Sequence, residues 1–297
     1  MINTVGNIVH DSVPISDNED NNVVIKKWGE IPDIKITEKR GGLNHHKVLE
    51  AIGGYDPERG QKVAGHRGYF LKGVGVLLNN ALINFGMSFL HKKGYDLTQP
   101  PFFIKKEIMA ETCQLSDFHE NLYKVEGDEN EEYYMIATSE QPISAMHRHE
   151  WLDEKQLPKR YGGISSCFRK EAGAHGKDTW GIFRVHQFEK VEQFYLTTPE
   201  KSWEMLDEML ATSEEFYQAL KLPYRVISIV SGALNDAAAK KYDLEAWFPG
   251  YNDYRELVSC SNCTDFQSRN LEVRCGAKKK DVNHSLFRIR KKDTFIC

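Results

Sequence analysis

The sequence has 297 residues, a formal net charge of −4, and 40% apolar and 11% aromatic residues. This fits one large domain or two small ones with a real core and excludes a disordered chain. The slight acidity excludes a general nucleic-acid binder, so any RNA contact would come from a local patch.

Six cysteines in a chain this long, behind a start with no basic segment and apolar run, predict reduced cytosolic thiols rather than a disulfide framework. No apolar run approaches the roughly 20 residues of a spanning helix, so no membrane contact is expected.

Residues 1–62 are polar, with a solvated run at Asp17–Asn22, and read as a linker that touches the body in places. From Leu71 to Phe89, apolar residues recur at spacings of three and four, the signature of an amphipathic helix. Lys92-Lys93-Gly94 supplies its stop. Tyr95–Ile104 reads as extended around Pro100-Pro101, an edge arrangement of the kind that pairs across a dimer. Lys105–Cys113 reads as a short helix. Asn121–Val125 and Tyr133–Ala137 read as a hairpin. Thr138 is the expected N-cap of a helix running through Trp151, with Pro142 in its first turn.

A second hairpin is expected over Ile164–Leu196, turning at Ala172–Asp178. Trp203–Leu220 reads as an amphipathic helix, and Tyr224–Val230, Asp243–Phe248 and Arg255–Cys260 as strands. Antiparallel strands with helices between groups predict an α+β fold. No internal repeat is present.

The second hairpin carries the most chemistry. With side chains alternating along a strand, Arg169 and Glu171 share a face, as do Arg184, Phe188 and Glu192. A guanidinium fork matches phosphate or carboxylate, and an aromatic plate suits a purine, the alternative being that Phe188 is a core residue. Glu256, in a β-prone strand, is either solvent-facing or a buried carboxylate that needs a positive partner such as Mg²⁺ on nucleotide phosphates. Thr138-Ser139-Glu140 is explained by helix capping or by ligand binding. Cys260 and Cys263 have metal-ligand spacing, but with no second pair nearby no structural zinc is expected.

On these residues the chain resembles the seryl-tRNA synthetases, class II aminoacyl-tRNA synthetases, in their eukaryotic cytosolic form. The resemblance covers about residues 6–276 and is most specific over Cys167–Phe194, Ser202–Tyr217 and Asp243–Asp265. It implies a class II antiparallel β-sheet flanked by helices, with a catalytic core over 63–276 and a divergent basic tail over 277–297. It implies ATP-dependent activation of L-serine to seryl-adenylate and transfer to tRNA-Ser in the cytoplasm, by a homodimer joined through residues 70–104. Arg169 would grip the α-phosphate or the serine carboxylate, and Glu171 the adenine amino group. Phe188 would stack on adenine. Lys170, Val185, Leu257 and Val258 complete the ATP site. Glu256 and Ser259 would hold Mg²⁺ with ATP. Thr138, Ser139, Glu140, Arg169 and Glu192 would receive serine.

The coiled-coil tRNA-binding arm and motif 3 of that family find no match. The fold is therefore expected to be incomplete at its C-terminal side and aminoacylation weak or absent. The alternative is a non-catalytic paralogue or truncated isoform that binds nucleotide, RNA or a partner subunit.

Overall fold

The computed structural model describes residues 5–32, 44–113, 121–127, 131–171, 179–276 and 295–296. In chain order, β1 (Val23–Trp28) precedes α1 (His45–Ala51), β2 (Tyr55–Asp56), α2 (Pro57–Ala64) and β3 (Phe70–Leu71). Next come α3 (Val74–Lys92), β4 (Asp96–Thr98), β5 (Phe103–Lys105), α4 (Lys106–Thr112), β6 (Lys124–Glu126), β7 (Glu132–Met135) and α5 (Glu140–Ala145). The chain continues through β8 (Trp151–Leu152), β9 (Lys159–Phe168), β10 (Gln187–Thr197), α6 (Ser202–Ala219), β11 (Tyr224–Ser228), β12 (Lys240–Phe248) and β13 (Asp253–Asn262). It closes with α7 (Phe266–Asn270), β14 (Arg274–Cys275) and β15 (Phe295–Ile296).

Two four-stranded sheets carry the architecture, in the orders β15-β10-β9-β4 and β1-β11-β12-β13. The long β9–β10 and β12–β13 ladders are antiparallel, while β4 joins β9 in parallel at the edge. Helices pack between groups of strands, so the α+β expectation holds. Leu90, Tyr95, Tyr195, Met205 and Met209 form one core layer, joining α3 to β10 and α6. Tyr224, Val226 and Leu244 form another beneath the second sheet.

Three expectations are corrected. Residues 1–62 are more than a linker: β1 pairs antiparallel with β11, Val13 is buried, and Asn7 donates to the carbonyls of Ala237 and Cys263. The apolar run of β1, Val23-Val24-Ile25 with Trp28, is short and set in polar sequence, so it carried no period that marked it as a strand. The helix after Thr138 ends at Ala145, not Trp151, which lies in β8 parallel to β14. Finally, α3 is 19 residues long and apolar enough, by length and composition alone, to cross a membrane. Asn and Gly interrupt its apolar run, which concealed this in the sequence. Its inner face packs on β9 and β10.

The stop of α3 is as expected: Lys93 caps it, and Gly94 turns the chain at φ 84°, a left-handed value that glycine adopts without strain. The hairpin turn at 172–178 and the basic residues of the tail lie outside the described residues.

Candidate functional site

A cleft of about 930 Å³ opens between β10 and β13, walled behind by α3 and α6. Arg169, Glu171, Arg184, Val185, Phe188, Lys190 and Glu192 line one wall, and Glu245, Tyr254, Glu256, Leu257, Val258 and Ser259 the other. The hairpin residues are thus brought together, but not by alternation alone. β9 stops at Phe168, so Arg169 is not inside a strand, and Glu171 takes a left-handed φ of 49°. Arg169 is held by its amide to the His186 carbonyl (2.9 Å), and its carbonyl meets His186 Nδ1 at 3.0 Å. Its Nε donates to the Ala137 carbonyl (3.3 Å), and its guanidinium lies 5.1 Å from the Phe188 ring centre. Phe188 is half-buried with a face on the cleft rather than a core residue. Arg184 donates to Glu171 at 3.2 Å across the hairpin. Lys170 does not line the cleft; its amide donates to the Asn121 carbonyl.

On the opposite wall Glu256 is exposed, not buried. Strict alternation would set Glu256 and Ser259 on opposite faces. The register corrects this, because Asp243 pairs with Ser259 and Leu244 with Val258, but Glu245 pairs with Glu256. Leu257 is the extra residue of a β-bulge, which re-aims the strand so that carboxylate and hydroxyl face the cleft together. Asp243 shares that face but is 5% exposed, and burial pushes its carboxyl up to about 6, Lys241 opposing and Glu256 reinforcing the shift.

Beneath Glu192 lies a polar floor. Its Oε2 accepts from the hydroxyls of Thr138 (2.7 Å) and Ser139 (2.6 Å) and from the Glu140 amide (3.2 Å). Lys190 donates to Thr138 Oγ1 (2.8 Å) and pairs with Glu192 Oε1 (2.9 Å). Thr138 thus serves both roles: it donates to the carboxylate and its Oγ1 accepts from the Glu140 amide (3.2 Å) at the helix start, one residue ahead of the N-cap position Ser139, which makes no side-chain capping bond. Glu140 accepts from Gln267 Nε2 at 2.6 Å.

The two carboxyls shift oppositely. Burial works to raise Glu192, but Lys190 and the two hydroxyls outweigh it and hold it below the usual range. Burial and then the Glu192 charge push Glu140 above that range, against Gln267, Lys190 and Arg169. Lys190 was legible in the sequence, two residues from both Phe188 and Glu192 on the same strand face. Gln267, some 75 residues beyond Glu192 and on a separate helix, carried no such signal.

Mg²⁺ fits the second wall. Glu256 and Ser259 offer two hard oxygen ligands facing the cleft, and among the described residues no group of three or more His, Cys, Asp or Glu could hold a metal. Such a pair suits an ion whose remaining ligands are phosphate oxygens and water.

An antiparallel hairpin presenting Arg and Phe, opposite a strand presenting Glu and Ser, defines the core of a class II aminoacyl-tRNA synthetase. Residues 123–288 match the family model described as "tRNA synthetase class II core domain (G, H, P, S and T)". Within that class, the chain belongs to the serine–tRNA ligases. It is 67% identical over 276 residues to the cytoplasmic serine–tRNA ligase of Dictyostelium discoideum, covering 93% of this chain and 60% of that protein. It superposes on a cytoplasmic serine–tRNA ligase from Naegleria fowleri in complex with AMP with a TM-score of 0.92 and 54% identity, covering 99% of this chain and 68% of that one. A seryl-tRNA synthetase from Pyrococcus horikoshii complexed with ATP gives 0.89 and 40%, covering 99% and 67%. The chain spans about 60% of the length of the curated relatives it matches.

Proposed function

We propose that this chain is the catalytic core of a cytoplasmic serine–tRNA ligase. It activates serine with ATP to seryl-adenylate and serves transfer to tRNA-Ser. The observation that supports this most is the pairing of two walls across one cleft. Arg169, Glu171 and Phe188 face Glu256 and Ser259, and the Thr138–Glu140–Glu192 floor lies beside them. The AMP and ATP complexes of the related enzymes named above support a nucleotide in the corresponding cleft.

In this reading adenine stacks on Phe188, with its amino group donating to Glu171. The Arg169 fork holds the α-phosphate against the serine carboxylate, which attacks the α-phosphorus in line and expels pyrophosphate. Arg169 already lies on Phe188 and is fixed through Ala137 and His186, so little reorganisation is needed as charge builds on the phosphate. Glu256 and Ser259 would hold Mg²⁺, which supplies charge neutralisation on the phosphates when bound. The serine ammonium enters beside Glu140 and Glu192. A site that hydrogen-bonds the serine hydroxyl rejects alanine far more strongly than an apolar pocket rejects an extra hydroxyl.

The broad exposed apolar face of α3 supports a homodimer through residues 70–104. Serine-dependent ATP–pyrophosphate exchange tests the proposal: exchange is expected for serine and not for alanine, and weak, in line with the weak or absent aminoacylation expected from the unmatched motif 3. ATP binding without exchange would favour the non-catalytic, nucleotide-binding reading. Absence of both would overturn the function.

A further inference from the structure

The stretch 44–69, of which 44–62 read as linker in the sequence, touches the hairpin wall of the cleft and the turn behind the second wall. The Ile182 amide donates to His45 Nε2 at 3.0 Å. Arg67 Nη1 donates to the Arg184 carbonyl at 3.2 Å, and the Tyr69 hydroxyl to the Gln187 carbonyl at 3.4 Å. All three grip the backbone of one short stretch, 182–187. This is the return arm of the hairpin, which carries Arg184 and Val185 and leads into Phe188.

The same stretch reaches the turn between β12 and β13, the strands of the second wall. Gly250, in the turn between β12 and β13, lies so close to Asn44 that a Cβ there would sit 2.6 Å from the Asn44 side-chain oxygen and 2.8 Å from its Cα. Phe183 packs edge-on to Phe248 (5.5 Å), against Tyr251 (5.5 Å) and against His45 (6.1 Å). Tyr251 in turn stacks under the Arg255 guanidinium at 5.0 Å, one residue before Glu256.

His45 and Arg67 are held where they can act. Burial, and then the neighbouring His46, hold the His45 pKa down to about 4. The ring is therefore neutral at pH 7, and with the proton on Nδ1 its Nε2 lone pair is free to accept. Arg67 is 8% exposed and sits at φ 68°. A non-glycine residue pays for that left-handed backbone with steric strain. The conformation aims its side chain back at the hairpin.

We propose that His45 and Arg67 are positioning residues for the nucleotide site. They fix the return arm of the hairpin, and with it the separation between the Arg169–Phe188 wall and the Glu256–Ser259 wall, so that one nucleoside triphosphate meets both. This rests on the nucleotide-binding reading above.

The test uses the whole chain, with ATP–Mg²⁺ binding measured by calorimetry and amide hydrogen exchange followed over 180–188. His45→Phe keeps a ring and removes the acceptor, whereas His45→Gln keeps an acceptor. Arg67→Gly relaxes the backbone and removes the donor, whereas Arg67→Lys keeps a donor. Loss of one hydrogen bond predicts about 2- to 10-fold faster exchange over 182–187 and ATP affinity lower by a similar factor in the Phe and Gly variants. The Gln and Lys variants should stay close to wild type in both. Faster exchange with unchanged ATP affinity would reduce the contacts to a structural role and overturn the proposal, as would unchanged exchange. A wild-type chain that does not bind ATP would overturn the nucleotide reading itself, a result distinct from either.

Discussion

Glu140 and Glu192 lie together under the cleft, and their environments push them apart. Glu192 has Lys190, two hydroxyls and an amide on its oxygens, whereas Glu140 has Gln267 and a like charge beside it. A buried carboxyl in that position gains by meeting a cation, which the serine ammonium would supply. Serine affinity should therefore fall as pH drops through the raised pKa of Glu140, in a window above the ordinary glutamate range. Titrations in buffers of different ionisation enthalpy should show proton release on binding within that window. Glu140→Gln should weaken serine binding by about 10- to 100-fold, the value of a charge-assisted hydrogen bond, and flatten the pH dependence. The sign for stability is opposite. Because its folded pKa is raised, ionised Glu140 costs stability, which is lost as pH rises through that pKa. The Gln variant, whose amide oxygen still accepts from Gln267, should melt no lower than wild type at pH 8. Serine binding unchanged by the substitution would remove Glu140 from the site.

Among the elements, the brace under Arg67 and Tyr69 is the most exposed to a single change. A Cβ on Gly60, in α2, would sit 2.2 Å from the Tyr69 Cα and 2.4 Å from its amide nitrogen, against backbone that cannot swing aside. Gly60→Ala should therefore destabilise by on the order of 1–3 kcal/mol, the cost of overpacking, read as a lower melting temperature. It should also speed exchange over 65–71 before it affects the β12–β13 ladder; uniform loss of protection in both would show that α2 does not act as a local brace. Period and punctuation made much of this fold legible. The run Leu71–Phe89 with its Lys-Gly stop is α3, Trp203–Leu220 is α6 with its capping residue, and the long hairpin lies where its β-prone arms placed it. What escaped was set by pairing rather than by local pattern. The Leu257 bulge brings Glu256 and Ser259 to one face through its register against β12, and no sequence period encodes it. The left-handed Glu171 reaches Arg184 from beyond the end of a strand, where alternation no longer applies. β1 is short and held by pairing with the distant β11, so 1–62 resembled linker.

For the molecule as a whole, α3 sets the largest unbalanced term. One side closes the cleft through Ile83, Gly86, Phe89 and Leu90. Leu77 is 69% exposed, with Val74, Val76 and Leu78 at 40% or more, and Phe70 just ahead of the helix is similarly open. Exposed apolar residues gathered along one helix in this way mark an interface. Each such side chain gains about 1.5–3 kcal/mol when fully buried, so a second copy seated on this face would recover several times that amount. Leu77 has no partner in the cores described above and lies away from the cleft, so it can be changed without touching either. Leu77→Glu with Leu78→Glu should convert a dimer to a monomer in sedimentation velocity, while the melting of the monomer itself moves little. Because α3 also backs the cleft, dissociation should loosen Phe89 and Leu90 against β10 and lower ATP affinity together with dimer occupancy, making both concentration-dependent in the single Leu77→Glu variant. A wild-type chain that sediments as a monomer at micromolar concentration would overturn the dimer reading of this face.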